Sequence, residues 1–194
     1  NVEAVKIKAK FNGATGNYSA ILTAFPNEDW QVLAKKFVEE YLGLTFNPLT
    51  TQIESHDYTC HILDGIRHFN NVLVDFDVDM WLYISMEYFK QIPVKGEVGS
   101  STMPHKVNPI RFENSEANID MSNNICIALS NKLPKSRMQR DLSDSSSQRN
   151  LGLAFGYSLQ AINETMNGLA KCVVNKDKLA SDLNEKWEVL AEPI

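Results

Sequence analysis

HDYTCHILDGIRHFNNVLVDFDVDMWLYISMEYFKQ, running from His56 to Gln91, decides the fold. Within it Ile62, Ile66, Phe69, Leu73, Phe76, Met80 and Tyr83 recur at alternating steps of four and three, the spacing that lays side chains along one seam of an α-helix. A helix over this whole stretch would be about 50 Å long at 1.5 Å per residue. Such a helix cannot cover its seam inside a small globule and needs long partners.

Two more helical patterns supply them. Glu113 to Lys132 is a polar stretch rich in Asn and Ser, and Leu151, Phe155, Ile162, Met166, Leu169 and Val173 mark another helix, with Ser158 filling the gap in its seam. Gly152, Ala154, Gly156 and Ala161 let a neighbouring backbone approach that helix closely. A last helix is expected from about Lys176 to Ala191, carrying Leu179, Leu183, Trp187 and Leu190. Ahead of the long helix, Tyr18 to Ala24 and Asp29 to Leu42 read as helices broken at Pro26, the second capped by Asn27 and closed by Gly43. Only Val5, Ile7, Ala9 and Phe11 alternate as in a strand, ended by Asn12-Gly13. The fold class is therefore mainly α: an elongated antiparallel helical bundle with a short β feature near the N-terminus, its apolar surplus covered by further copies.

Composition narrows the function. The 194 residues are 43% hydrophobic and 22% charged, the range of a soluble domain. A net charge of -5 with scattered basic residues argues against a nucleic-acid groove, and no apolar run is long enough to span a membrane. Cys60, Cys126 and Cys172 lie far apart, without metal-ligand or disulfide-framework spacing, which favours a reducing cytoplasm. The four histidines are likewise outside metal-ligand spacing and have no evident partner in the sequence, so His56, His61, His68 and His105 are read as structural or exposed.

Polar chemistry converges at three places. In GEVGSSTMPHKVNPIRFENSEAN, Gly96 to Asn118, glycines precede two hydroxyls and prolines stiffen the far side. Ser100 and Ser101 present hydroxyls, Lys106 and Asn108 can hold a carboxylate, and Asn114 lies on the next turn. A flexible helix connection with a solvated Lys106 is the plainer account on composition alone. In SRMQRDLSDSSSQRN, Ser136 to Asn150, Arg140, Ser145 and Arg149 bracket a helix start, and Ser145 to Gln148 has capping-box spacing. Two guanidinium groups, hydroxyls and helix N–H groups make a phosphate site; a capped helix whose arginines pair with Asp141 and Asp144 explains the pattern equally well. In NPLTTQIESHDY, Gln52 sits in a polar turn entering the long helix, a place for a ligand contact or simply for a turn residue.

GSSTMPHKVNP, Gly99 to Pro109, resembles the GSSxMPxKxNP signature of the fumarase/aspartase superfamily. The runs KFNGATGNYSA, NPLTTQIESHDY, SRMQRDLSDSSSQRNLG and NEKWEVLAEPI, with MPHK in place of MPGK, look like its bacterial adenylosuccinate lyase branch and extend the likeness over nearly the whole chain. The resemblance implies a β-elimination that cleaves a C–N bond, giving AMP and fumarate from adenylosuccinate, and the same chemistry on the succinylated carboxamide ribotide of purine biosynthesis. It implies Ser100 as general base, and Ser101, Lys106, Val107 and Asn108 around the fumarate-like part. It also implies that Gln52, Asn114, Arg140 and Ser145, Ser146, Ser147, Gln148 and Arg149 contact the nucleotide, with Arg140, Ser145 and Arg149 near its phosphate. No metal or organic cofactor is implied. The general acid of the family is a His in an upstream motif that this sequence lacks, so residues 1–194 are expected to be the central helical-bundle domain of a larger, homotetrameric lyase with shared active sites, inactive alone. The superfamily alternatives act on argininosuccinate, malate or aspartate; a non-catalytic helical scaffold is the alternative outside enzymes.

Overall fold

The computed structural model describes residues 2–92 and 108–191. The chain is mainly α, as its periodicity predicts. After a 3-10 turn at Val2–Ala4 come β1 (Lys8–Ala9), α1 (Ser19–Ala24), α2 (Trp30–Lys36), β2 (Thr45–Phe46) and α3 (Asp57–Ser85). Then follow β3 (Phe89–Gln91), α4 (Ile110–Lys132), α5 (Ser143–Gln148), α6 (Leu151–Leu169), β4 (Cys172–Val174), α7 (Lys176–Glu185) and a 3-10 turn at Trp187–Leu190.

Several boundaries differ from those expected, each for a local reason. Asp29, not Asn27, caps α2: its carboxylate accepts the N–H groups of Gln31 and Val32 at 3.2 and 3.1 Å. Beyond Lys36 the backbone widens into a π-turn, Phe37–Tyr41, and the expected helix end at Gly43 has φ +66°, a conformation glycine adopts without cost. The long helix stops at Ser85, because Glu87 takes a left-handed conformation and turns the chain into β3. Val173, expected on the helical seam, instead pairs with Lys90 in an antiparallel β3–β4 ladder. The N-terminal strand shrinks to Lys8–Ala9, paired in parallel with Thr45–Phe46.

Two compact units divide the chain, Asn1–Phe69 with Ser122–Phe155, and Asn70–Met121 with Gly156–Ile194. The core of the first is apolar: Cys60 and Leu63 of α3, Cys126 and Leu129 of α4, Leu133 just after it, and Ala154 of α6. Each buried leucine there contributes about 1.5–3 kcal/mol. Ser122 adds a buried hydroxyl that donates to the Ala154 carbonyl at 2.8 Å.

The second unit has a polar interior. Asn70 and Asp77 of α3 face Ser158 and Thr165 of α6, each pair seven residues on from the last, so these segments run the same way. The Ser158 hydroxyl donates to Asn70 Oδ1 at 2.7 Å, the Thr165 hydroxyl to Asp77 at 2.8 Å, and Ser115 of α4 lies 2.8 Å from Thr165. Against α3, α4 runs the opposite way, with Asp77 beside Ser115 and Trp81 Nε1 donating to Glu113 at 3.0 Å. Gly168 of α6 is required by this packing, because a Cβ there would meet the Phe112 ring at 2.9 Å. Among the described residues no helix is long and apolar enough to cross a membrane.

Candidate active site

Gln52 owes its position to the turn beneath it. Lys10 Nζ donates to three carbonyls, those of Gly13, Thr51 and Gln52, at 2.8, 2.8 and 2.7 Å, which uses all three ammonium donors. The buried Asn12 side chain donates to Thr50 Oγ1 at 2.9 Å, and Gly16, with φ +80°, lies so close under Thr50 that a Cβ would strike its carbonyl oxygen. The Gln52 N–H donates to the Gln139 carbonyl at 3.3 Å. Its backbone is thus held from two sides while the residue itself is exposed, next in space to the segment that carries Arg140.

Arg140 is half-buried and already committed on one side. Its Nε and Nη2 both donate to Asp144 Oδ1, at 3.3 and 3.1 Å. Of the five N–H donors of a guanidinium, two are taken and three remain among the described residues. Burial opposes ionisation of Asp144, but the hydrogen bonds from Arg140 and the Ser145 N–H outweigh it and hold the carboxyl below its ordinary range. Arg149 stands at the other end of α5, exposed and without an ion pair among the described residues. Arg137 and Lys132 both bind Asp141, at 3.3 and 2.9 Å. The arginine–aspartate pairing therefore exists at Arg140, while Arg149 is uncommitted among the described residues.

The expected capping box does not form. The residue before α5 is Leu142, which offers no side-chain cap, and Ser145 already lies inside the helix with its hydroxyl donating to the Leu142 carbonyl at 2.9 Å. Asp141 does the capping from outside, accepting the Ser143 N–H at 3.0 Å and the Ser143 hydroxyl at 2.8 Å. The Ser143 and Ser145 N–H groups are thus spent on the chain's own carboxylates and are not offered to an anion. What the segment presents outward is side-chain chemistry: the exposed Ser145, Ser146 and Arg149, with Ser147 and Gln148 half-buried.

His56 joins the two parts. Just before α3, its Nε2 lies 3.2 Å from the Gln148 amide nitrogen and 3.5 Å from Asp144 Oδ2, although the two segments are 92 residues apart in sequence. The same residue borders a cavity of about 410 Å³ lined also by Thr50, Thr51, Glu54, Pro134 and Ser136. So the structure brings together Gln52, Arg140 and Ser145 to Arg149, all in the first unit, and adds His56. Local sequence shows no partner for that histidine because its partners come from α5.

Asn108 and Asn114 lie in the second unit. Asn108 is half-buried ahead of the buried Pro109, and Asn114 is exposed near the start of α4, its carbonyl accepting the Asn118 side-chain amide at 2.7 Å. Ser100, Ser101, Lys106 and Val107 lie outside the described residues. Among the described residues no three His, Cys, Asp or Glu side chains converge on a metal-sized site.

The family model described as Lyase matches residues 1–124, and the one described as Adenylosuccinate lyase C-terminal matches residues 136–194. The chain belongs to the lyase family. It is 52% identical over 190 residues to the adenylosuccinate lyase of Vibrio cholerae serotype O1, covering 98% of this chain and 42% of that protein. The adenylosuccinate lyases of Escherichia coli K12 and Legionella pneumophila (strain Corby) are 53% and 54% identical, each with 98% of this chain and 41% of the relative covered. The chain spans about two fifths of the length of these curated relatives. Within this lyase-family chain, Lys10 and His56 are the site-shaping residues that local motifs do not mark.

Proposed function

We propose that residues 1–194 are the central helical domain of an adenylosuccinate lyase, working in the cytoplasm as a homotetramer with shared active sites. The observation that carries this reading is identity above 50%, sustained over 98% of the chain, to proteins named adenylosuccinate lyase. The site chemistry supports it independently: an exposed Arg149 with no ion pair among the described residues, a partly committed Arg140 and exposed serine hydroxyls suit a nucleotide phosphate.

The reaction is elimination of fumarate from the succinyl group. Ser100 removes the proton on Cβ, the electron pair spreads into the neighbouring carboxylate, and the C–N bond then breaks with its electrons leaving on nitrogen. Ser101, Lys106 and Asn108 donate to that carboxylate and stabilise the charge as it develops. A serine hydroxyl is a weak base in water, so Lys106 and exclusion of solvent must lower the cost of its ionisation. The proton for the departing nitrogen comes from a histidine on another part of the polypeptide, and the products are AMP and fumarate.

Substrate choice is the test. The full-length protein is assayed on adenylosuccinate, argininosuccinate, malate and aspartate. Turnover of adenylosuccinate alone is expected; turnover of a substrate without a phosphate at comparable kcat/KM would overturn the assignment.

A further inference from the structure

His56 has no part in the elimination chemistry, yet it is held with unusual care. Its φ of +64° is left-handed, a conformation that a non-glycine residue keeps only when its surroundings enforce it. They do so here. The His56 N–H donates to Glu54 Oε2 at 2.9 Å, Glu54 Oε1 accepts from Asn47 Nδ2 at 3.0 Å, and the His56 carbonyl accepts the Cys60 N–H at 3.0 Å as the first bond of α3. This twist aims the imidazole, only 14% exposed, at α5.

There it faces the outer oxygen of the Asp144 carboxylate. Asp144 Oδ1 accepts both Arg140 bonds and the Ser145 N–H, while Oδ2 is buried and makes no other hydrogen bond among the described residues. His56 Nε2 stands 3.5 Å from that oxygen and 3.2 Å from the Gln148 amide. With the proton on Nδ1, Nε2 accepts from Gln148; with the proton on Nε2, it donates to Asp144 Oδ2. In either form it closes the side of Asp144 turned away from Arg140.

We propose that His56 is a positioning residue for the anion site. By occupying the far side of Asp144 it keeps Arg140 on Oδ1, so the three remaining guanidinium donors hold one direction, and by holding Gln148 it fixes the end of α5 next to Arg149. The inference rests on reading Arg140 and Ser145 to Arg149 as the phosphate site. His56 itself touches no substrate.

The experiment compares His56→Ala, His56→Gln, Arg140→Ala and the double variant His56→Ala/Arg140→Ala in the full-length protein. KM and kcat for adenylosuccinate, inhibition by inorganic phosphate and the melting temperature are measured for each. His56→Ala is expected to raise KM and weaken phosphate inhibition about tenfold, with a smaller change in kcat. Glutamine reaches the same partners with one donor and one acceptor, so His56→Gln should recover most of that loss. The double variant should be no worse than Arg140→Ala, because His56 acts through Arg140. The proposal is overturned if both His56 variants lower the melting temperature while KM and phosphate inhibition stay unchanged, or if the effects of His56→Ala and Arg140→Ala simply multiply. Should Arg140→Ala leave KM and phosphate inhibition unchanged, the phosphate reading itself fails; should Arg140→Ala weaken both while His56→Ala does not, only the role of His56 falls. If His56→Ala does not fold, His56→Leu, which fills the same space without a hydrogen-bonding group, replaces it alone and with Arg140→Ala, against the same outcomes.

Discussion

Arg140 and Arg149 carry the same charge but stand in different debts to the fold. Arg140 balances the buried Asp144, whereas Arg149 is exposed and free of an acidic partner among the described residues. Removing Arg149 should therefore weaken nucleotide binding about 10- to 100-fold, the scale of a lost charge-assisted hydrogen bond, and leave the melting temperature where it was. Arg140→Ala should weaken binding and also destabilise by about 3 kcal/mol, because Asp144 stays buried without its cation. Parallel KM and thermal unfolding measurements separate the two; equal melting losses would contradict this division. The acid limb of stability has an equally local source. Hydrogen bonds from Lys132, then Ser143, hold the Asp141 carboxyl well below the usual range, and Lys178, then Tyr88 and Lys186 against opposing burial, hold Asp182 at about 2. A carboxyl depressed by folding contributes stability that is fully present above its unfolded value near ~3.9 and is lost as pH falls through the folded value. Melting temperature should thus drop as pH falls from about 4 towards about 2, and Asp182→Asn should flatten that drop. An unchanged acid profile in the variant would count against the Lys178–Asp182–Lys186 cluster as its cause.

The long helices hold a buried carboxylate at the scale of the element. Burial raises the pKa of Asp77, with hydrogen bonds from Ser115 and Thr165 working against the shift. A group raised on folding costs least stability when protonated, so its contribution is present at low pH and lost as pH rises through the folded value. Asp77→Asn should then be close to neutral for melting at pH 7, whereas Thr165→Val should cost about 1–3 kcal/mol by stripping a donor from a buried acceptor. The reverse order would refute the polar-interior account. Gly16→Ala in the turn under Gln52 should cost more than about 2 kcal/mol, since both the positive φ and the Thr50 carbonyl forbid a Cβ. Periodicity made the helices legible but not their inner faces. Phe69, Phe76 and Tyr83 fit the predicted seam yet are exposed, while Asn70 and Asp77, one position along, are buried and only Met80 of the late seam is in the core. A heptad of apolar residues signals that some surface will be covered and is silent on whether the cover comes from the same chain. The arginine–serine segment was readable because its chemistry is contiguous. His56 was not, since a left-handed turn and a contact across 92 residues leave no mark on local spacing.

Over the whole molecule the exposed apolar side chains set the expectation for assembly. Phe69 is 50% exposed, Val72 61%, and Leu159 and Met166 of α6 60% each, more than isolated surface residues require. In the proposed homotetramer other copies cover them, each such side chain contributing about 1.5–3 kcal/mol on burial. Phe69→Glu combined with Val72→Glu should shift the full-length protein from tetramer to smaller species in sedimentation velocity; an unperturbed tetramer would place those residues outside the interface. In the proposed tetramer each active site draws on several copies, so that shift should also abolish turnover. The most direct measurement concerns the proposed base: single-turnover release of fumarate from adenylosuccinate by the full-length Ser100→Ala protein. The account predicts that release slows by about a thousandfold or more while AMP still binds and the tetramer persists. Fumarate release at near wild-type rate would contradict it.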